Sequence, residues 1–263
     1  MTPEMTEVLS KVMALSQAAL LTGWFVFLRI GAAMALLPVF GDQSVPVRVR
    51  LALALGFTLI VAPAVADRIA PLAASGEVIG LPLVTETLAG LAIGLAVRLF
   101  IMALQMAGTI AAQSTSLSQF FGGAGVEPQP AISQLMVVAG MALAVMYGLH
   151  VQLAKLLLLS YDLLPPGQFP AGNGMAEWGI SHITHAVALA FSLAAPFVIA
   201  SLIYNIAIGV INKSMPSLMV SFVGAPALAL GGLVLLLLIL PLSMGAWITD
   251  LGRFFANPFG LAP

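Results

Sequence analysis

The sequence predicts an all-α, polytopic membrane protein, and three observations support this prediction. Of its 263 residues, 61% are hydrophobic and only 7% are charged, whereas about a quarter of the residues in a soluble domain are charged. The mean hydropathy is +1.11. Apolar runs close to the length of a membrane-spanning helix recur along the chain. The composition therefore predicts that most of the chain is embedded in a lipid bilayer.

Six apolar runs give the predicted helical elements in order. They lie near residues 18–40, 51–66, 83–112, 131–159, 183–211 and 218–248. The second run is short and contains Pro63, which predicts a break because proline cannot donate the backbone hydrogen bond that a helix needs. The third run is longer than one straight crossing of the bilayer requires. We expect several of these helices to be broken or to pack against protein instead of lipid.

Four charged residues lie in or beside the apolar runs: Arg29, Glu86, Arg98 and Lys213. A charge at the centre of a bilayer costs about 2.5–3.5 kcal/mol, so these side chains should face protein or water. One interpretation is that Arg29, Glu86 and Arg98 form structural ion pairs that hold an assembly together. The other is that some of the four, chiefly Arg98 and Lys213, mark helix ends and extend to the lipid headgroups.

Small residues recur at helical spacing on the third run. Gly90 and Gly94 are four residues apart, and Gly108 and Ala112 follow further along. Such spacing allows two helix backbones to approach closely. Glycine and alanine are abundant throughout this chain, so ordinary packing is the simpler interpretation of the pattern.

Composition and motifs predict no catalytic, metal or cofactor site. The formal net charge is −1 and the chain has no cysteine, which argues against a nucleic-acid partner and against thiolate chemistry. His182 and His185 could share a helix face, but no third ligand stands near them in the sequence. Neither a GxSxG motif nor a phosphate-binding loop is present. A polytopic small-molecule permease is the alternative function, although no internal repeat typical of such transporters is evident.

The stretch SLSQFFGGAGVEPQPAISQ, residues 116–134, is the least apolar long interval in the middle of the chain. It contains two adjacent phenylalanines, three glycines within four residues and two prolines. An ordinary connection between two helices needs only a few polar residues. The length and composition of this loop therefore predict a role beyond connection.

The order and spacing of four segments of the chain are informative. They are LRIGAAMALLPVFGDQSVPVRVRLALAL (28–55), ETLAGLAIGLAVRLFIMALQMAGTIAAQ (86–113), YGLHVQLAKLLLLSYDLLPPG (147–167) and APFVIASLIYNIAIGVINKSMPSLMVSFVGAPALAL (195–230). Their order and spacing resemble those of the FliR family of flagellar type III export-gate proteins, whose virulence-secretion relatives are the SctT proteins. The resemblance extends over nearly the whole chain.

The resemblance implies an architecture, partners and a location. It implies a single integral membrane domain over residues 1–263, with a FliP-like part at about 1–182 and a FliQ-like helical hairpin at about 183–250. Lys213 and Pro216 would lie at the turn of that hairpin. One copy of the chain would join several copies of FliP and FliQ, and FlhB would contact it at the cytoplasmic entrance. The resulting gate would pass unfolded flagellar proteins through the bacterial inner membrane, at the flagellar basal body.

The resemblance also implies a role for the unusual central loop, which corresponds to the plug region of the family. Bulky apolar side chains on a glycine-hinged segment can exclude water from a pore and still move aside. We predict that Phe120 and Phe121 form the seal and that Gly122, Gly123 and Gly125 form the hinge. The alternative is that the two phenylalanines only anchor the loop against neighbouring helices.

Overall fold

The computed structural model describes residues 3–41, 45–74, 80–115, 131–169, 172–214 and 220–260. These residues form seven helices, and no strand occurs among them. The helices are α1 (Pro3–Leu36), α2 (Val47–Ala74), α3 (Leu81–Ser114), α4 (Ala131–Met146), α5 (Leu149–Leu163), α6 (Gly172–Ser214) and α7 (Val220–Ala256). The predicted all-α fold is confirmed.

Most of the helices have the length and composition of membrane spans. In the described residues, α1, α2, α3, α6 and α7 are each long and apolar enough to cross a membrane. The pair α4 and α5 adds a sixth span if it is counted as one, although its two helices are bent by 74°. Gly148 lies at the bend with φ 83°, a left-handed conformation that glycine adopts without a Cβ clash. The polytopic prediction is therefore confirmed as well.

Prolines define several helix ends. α1 ends two residues before Pro38, because the ring of a proline disfavours helical backbone at the preceding residue. α2 begins directly after Pro46, whose carbonyl oxygen accepts hydrogen bonds from the N–H groups of Val49 and Arg50, at 2.9 and 3.1 Å. α7 ends two residues before Pro258. The chain thus stops its helices where proline makes continuation unfavourable.

The prediction that Pro63 breaks the second helix is wrong. α2 continues through both Pro63 and Pro71 as one helix. Each proline removes one backbone hydrogen bond, but the turns on either side keep theirs, and membrane helices tolerate such losses. The apolar run ends before the helix does because Asp67 and Arg68 interrupt its hydropathy and leave its backbone intact.

The chain divides into two compact units. Unit 1 consists of Met1–Arg98, Gly148–Ile180 and Pro258–Leu261, and unit 2 consists of Leu99–Tyr147, Ser181–Asn257 and Ala262–Pro263. Helices α3 and α6 each contribute residues to both units. The division into a FliP-like part at about 1–182 and a FliQ-like hairpin at about 183–250 stays a prediction.

Unit 2 has an aromatic core formed by α3, α4 and α7. Trp247 is 1% exposed, and its indole Nε1 donates a 2.9 Å hydrogen bond to the carbonyl oxygen of Phe100. Gly140 of α4 has no side chain, which leaves space for the side chain of Leu104. A Cβ atom at Gly108 would collide with the backbone of Ser133. Small residues therefore let the helices of this unit approach closely enough to enclose the indole ring.

A histidine and an aspartate join α6 and α7 within unit 2. His185 Nε2 and Asp250 Oδ2 are 2.6 Å apart, and the two side chains are 18% and 12% exposed. One turn earlier on α6, the ring of His182 meets the ring of Phe254 edge to face at 5.5 Å between centroids. The start of this part of α6 therefore packs against the end of α7, as in an antiparallel helix pair.

Candidate functional site

Arg29 of α1 and Glu86 of α3 form a bidentate salt bridge in the core of unit 1. The Nε and Nη2 atoms of Arg29 donate hydrogen bonds to Glu86 Oε2 and Oε1, at 2.8 and 3.0 Å. Their side chains are only 1% and 0% exposed. The planar guanidinium matches the carboxylate through two parallel bonds, which fixes the geometry of the pair. The structure thus pairs two of the charges that the sequence excludes from lipid.

The segment formed by α5 and the turn after it completes the site. Arg29 Nη1 donates to Ser160 Oγ at 3.1 Å, and Arg29 Nη2 donates to the carbonyl oxygen of Leu164 at 2.9 Å. The backbone N–H of Gly167 donates to Glu86 Oε1 at 3.2 Å. Gly167 has φ 70°, so its left-handed backbone suits glycine. Three separate stretches of sequence therefore converge on one ion pair.

An aromatic ring covers the guanidinium group. The Cζ atom of Arg29 lies 3.8 Å from the centroid of the Tyr161 ring, a distance at which a cation and an aromatic face attract each other. Tyr161 is 2% exposed, and its hydroxyl has no hydrogen-bond partner among the described residues. The ring therefore contributes its face to the arginine.

Two glycines of α3 allow the pair to form. A Cβ atom at Gly90 would collide with the backbone carbonyl oxygen of Arg29, and one at Gly94 would lie 2.6 Å from the carbonyl oxygen of Ala33. The backbones of α1 and α3 therefore touch at the level of the ion pair. In this case the glycine spacing marks a specific contact between two helices, and the simpler interpretation as ordinary packing is insufficient.

The arrangement of the site fits a structural role. Both carboxylate oxygens of Glu86 and four of the five N–H donors of Arg29 have partners within hydrogen-bond distance. A buried charge that lacks partners is very unfavourable, whereas a fully paired one can be held in place. In the described part of the chain, no group of three histidine, aspartate or glutamate residues is placed to hold a metal ion. The pair therefore joins helices, and its atoms are already engaged.

Arg98 and Lys213 lie outside this network. Arg98 is exposed on α3 and forms no ion pair with any described residue, so its role in an ion pair, within the chain or with another subunit, stays a prediction. Its buried neighbours Val97 and Leu99 occupy the inner side of the helix, which directs the arginine outward. Lys213 is exposed in the last turn of α6, where a cation interacts favourably with the helix dipole. Both positions suit the alternative in which these side chains reach the headgroups.

The predicted plug residues and one residue of the predicted hairpin turn lie outside the described residues. They are Phe120, Phe121, Gly122, Gly123, Gly125 and Pro216. Their roles as seal, hinge and turn stay predictions. The gap between α6 and α7, residues 215–219, falls inside the segment NKSMPSLMVSF, in which the turn is predicted.

Sequence reasoning missed the residues that surround the ion pair. Ser160 and Tyr161 stand in the stretch LLLLSYDLL, where a polar pair interrupts an apolar helix. Polar groups at membrane depth generally face protein and find partners there. That rule could have selected Ser160 and Tyr161, but it could not have named Arg29 as their partner.

The fold and the site define a class: a polytopic helical membrane protein in which a buried ion pair joins three segments of the chain. Comparison with known sequences then gives the family. The family described as "Bacterial export proteins, family 1" matches residues 20–253, which is most of the chain. The chain belongs to this family.

Individual relatives agree with the family match. Flagellar biosynthetic protein FliR of Caulobacter vibrioides is 32% identical over 215 residues, covering 81% of this chain and 86% of that protein. The protein of the same name from Escherichia coli is 28% identical and covers 82% of each chain. The one from Aquifex aeolicus is 28% identical over 86% of this chain and 88% of its own length. The relatives and the apolar helices together indicate a membrane-embedded component of the flagellar export apparatus.

Proposed function

We propose that this chain is the FliR-type subunit of a flagellar type III export gate. In this proposal it forms, with FliP and FliQ, the channel that passes unfolded flagellar proteins through the bacterial inner membrane. FlhB contacts it at the cytoplasmic entrance. The observation that carries the proposal is the family match over residues 20–253, together with relatives named FliR that cover more than four-fifths of the chain.

The buried ion pair supports a structural role within such a gate. Arg29 and Glu86 are enclosed by protein and have no open side at which a substrate could bind. Their partners come from α1, α3 and the segment that ends α5, so the pair sets the relative positions of these elements. A gate subunit needs such a fixed frame beside any moving part. The energy for transport comes from partner proteins in this proposal.

The exposed surface of unit 2 supports membership in a membrane assembly. Large apolar side chains are exposed along its two long helices: Leu202, Ile203, Ile206 and Val210 on α6, and Leu233, Leu237, Leu238 and Leu242 on α7. Water cannot cover apolar surface of this extent favourably. Lipid and the helices of FliP and FliQ are the partners that fit it.

The native mass of the detergent-solubilised, tagged chain tests the proposal. It is measured for the chain alone and for the chain expressed with FliP and FliQ from the same organism. We expect one copy of this chain in a large complex when both partners are present. A stable small homo-oligomer that ignores both partners would contradict the proposal. It would favour the permease alternative, which also predicts saturable binding of a solute.

A further inference from the structure

One side-chain contact of unit 2 can change its charge close to neutral pH. His185 Nε2 of α6 and Asp250 Oδ2 of α7 lie 2.6 Å apart. An ionised carboxylate only accepts hydrogen bonds, so Nε2 carries the shared proton. The second ring nitrogen of a histidine gains or loses its proton near physiological pH. The contact is therefore a hydrogen bond when the imidazole is neutral and an ion pair when it is protonated.

The pair lies at the polar end of both helices, where protons from water can reach it. His185 is close to the start of the apolar run 183–211, and Asp250 is two residues beyond the run 218–248. The two side chains are 18% and 12% exposed. Lys213 marks the opposite end of α6. The imidazole is thus buried enough for its charge to affect the contact and exposed enough to exchange a proton with water.

The ionisable groups around the pair come from three helices. On α6, His182 lies one turn before His185 and is 7% exposed. On α7, Arg253 follows Asp250 by three residues, is exposed, and forms no ion pair with a described residue. At the end of α4, the hydroxyl of Tyr147 lies against the backbone of α7. The described residues of α3 in unit 2 include no ionisable side chain, and Asp250 is the one carboxylate among the described residues of that unit.

A partly buried site favours the state in which the pair has no net charge. With a neutral imidazole the pair bears one negative charge, and with a protonated imidazole its two charges cancel. A charge removed from water is unfavourable unless a partner balances it. The added positive charge also attracts the carboxylate across 2.6 Å. Protonation of His185 therefore strengthens the contact between α6 and α7.

We propose that the His185–Asp250 pair is a pH-sensitive contact that holds α6 and α7 together more firmly when the surrounding water becomes mildly acidic. The added stability is present while the imidazole is protonated and the carboxylate is ionised, which for unperturbed groups is between about pH 4 and about pH 6.5. It is lost as the pH rises and His185 releases its proton, and it is lost in stronger acid as Asp250 is neutralised. The inference concerns the fold of this chain and does not depend on the proposed export function.

The first test measures the equilibrium constant for unfolding of the full chain in detergent micelles, between about pH 5.5 and about pH 8. For the unaltered chain this constant should rise about five- to tenfold with pH, because one proton allows at most a tenfold change per pH unit. His185→Gln and Asp250→Asn each keep a hydrogen-bonding side chain but remove one charge, and both should remove most of the rise. His150→Gln is the control, because His150 is exposed on α5, and it should retain the rise.

Two outcomes of this test would overturn the proposal. One is an equal rise in the unaltered chain, in His185→Gln and in Asp250→Asn, which would mean that the pair does not sense pH. The other is a rise that disappears in His182→Gln and persists in His185→Gln, which would assign the pH response to the neighbouring histidine.

The second test follows local opening of the contact in a chain that keeps both members of the pair. The protein has no cysteine, so Ala186→Cys introduces a single thiol beside His185, at a position that is 4% exposed. Its alkylation rate with a water-soluble maleimide is divided by the rate for the unfolded chain at the same pH. This ratio should be about five- to tenfold larger at about pH 8 than at about pH 5.5.

Ala111→Cys is the control for the second test. Ala111 is completely buried near the C-terminal end of α3, where Thr115 packs against Gly232 of α7. Its alkylation ratio should not change with pH, and Asp250→Asn should remove the change at position 186. Equal pH dependence at the two positions would contradict the proposal, because opening would then be independent of the His185–Asp250 pair.

Discussion

The two units of this chain solve the same packing problem with different chemistry. In unit 1, the centre holds Arg29 and Glu86, which are almost completely buried and form a salt bridge with each other. In unit 2, the centre holds Trp247, and the hydrogen-bonded side chains of His185 and Asp250 lie nearer the surface. One core is thus organised by an ion pair and the other by an aromatic ring.

This difference shows what a buried ion pair adds to a core. Burying two charges removes them from water, and the attraction between them roughly offsets that loss, so the pair adds little net stability. It does add direction, because each bond from Arg29 has one acceptable partner at one angle. The indole of Trp247 has a single polar contact and otherwise packs by shape. We infer that the ion pair fixes the packing of the helices in unit 1 more strictly than the indole fixes the packing in unit 2.

Glu86→Ala should have the largest effect, because it leaves Arg29 buried without its carboxylate. Breaking a buried pair in this way costs about 3–5 kcal/mol. The free energy of unfolding in detergent micelles should fall by this amount, and assembly with partners should fall with it. The double change Arg29→Met with Glu86→Leu should recover part of the loss, since no unpaired charge remains.

One result would contradict the structural assignment of the pair. If Glu86→Ala assembled into a complete complex with normal stability but transported nothing, the pair would act in transport itself. Transport per assembled complex, measured beside the amount of complex, distinguishes the two cases. We expect the amount of complex to fall much more than the transport of each complex.

Asp250→Ala tests the corresponding pair of unit 2 and should cost less. Loss of a hydrogen bond to a charged group typically costs about 1.5–3 kcal/mol, and His185, at 18% exposed, can still be reached by water. The same unfolding measurement applies, with Thr249→Ala on the exposed side of α7 as the control. An effect as large as that of Glu86→Ala would show that the stability of each unit depends equally on its polar pair. That result would contradict the proposed difference between the two cores.

The sequence indicated which charges avoid lipid, and the structure was needed to show what they contact. The cost of a charge in a bilayer is a property of one residue, so Arg29 and Glu86 could be selected singly. The contacts with Ser160, Leu164 and Gly167 join positions about 80 to 135 residues apart, and they depend on how the helices pack. A single sequence carries no direct record of such pairings.

Pro63 shows how a correct local rule can lead to a wrong prediction. Its local rule, the loss of a backbone donor, is correct, but a helix as long as α2 retains enough other bonds to continue. Arg98 illustrates a third case, because a charge within an apolar run has two acceptable positions, in a pair or at a surface. Only the direction of the side chain decides between them, and that direction depends on the faces that α3 buries.

The smallest effects should come from replacing the glycines that let two helix backbones approach closely. The loss in free energy of unfolding should be similar in the two units. Gly90→Ala drives a methyl group into the backbone of α1, and Gly108→Ala drives one into the backbone of α4. Each should lower the free energy of unfolding by about 1–3 kcal/mol. Gly56→Ala is the control, because no atom lies within 4 Å of its added methyl, and it should stabilise α2 by about 0.5–1 kcal/mol.

Equal losses at Gly90 and Gly108 would show that backbone contact matters equally in both units and that charge makes the difference between them. A much larger loss at Gly90 would mean that shifting α1 also breaks the ion pair, so the two contributions in unit 1 would be coupled.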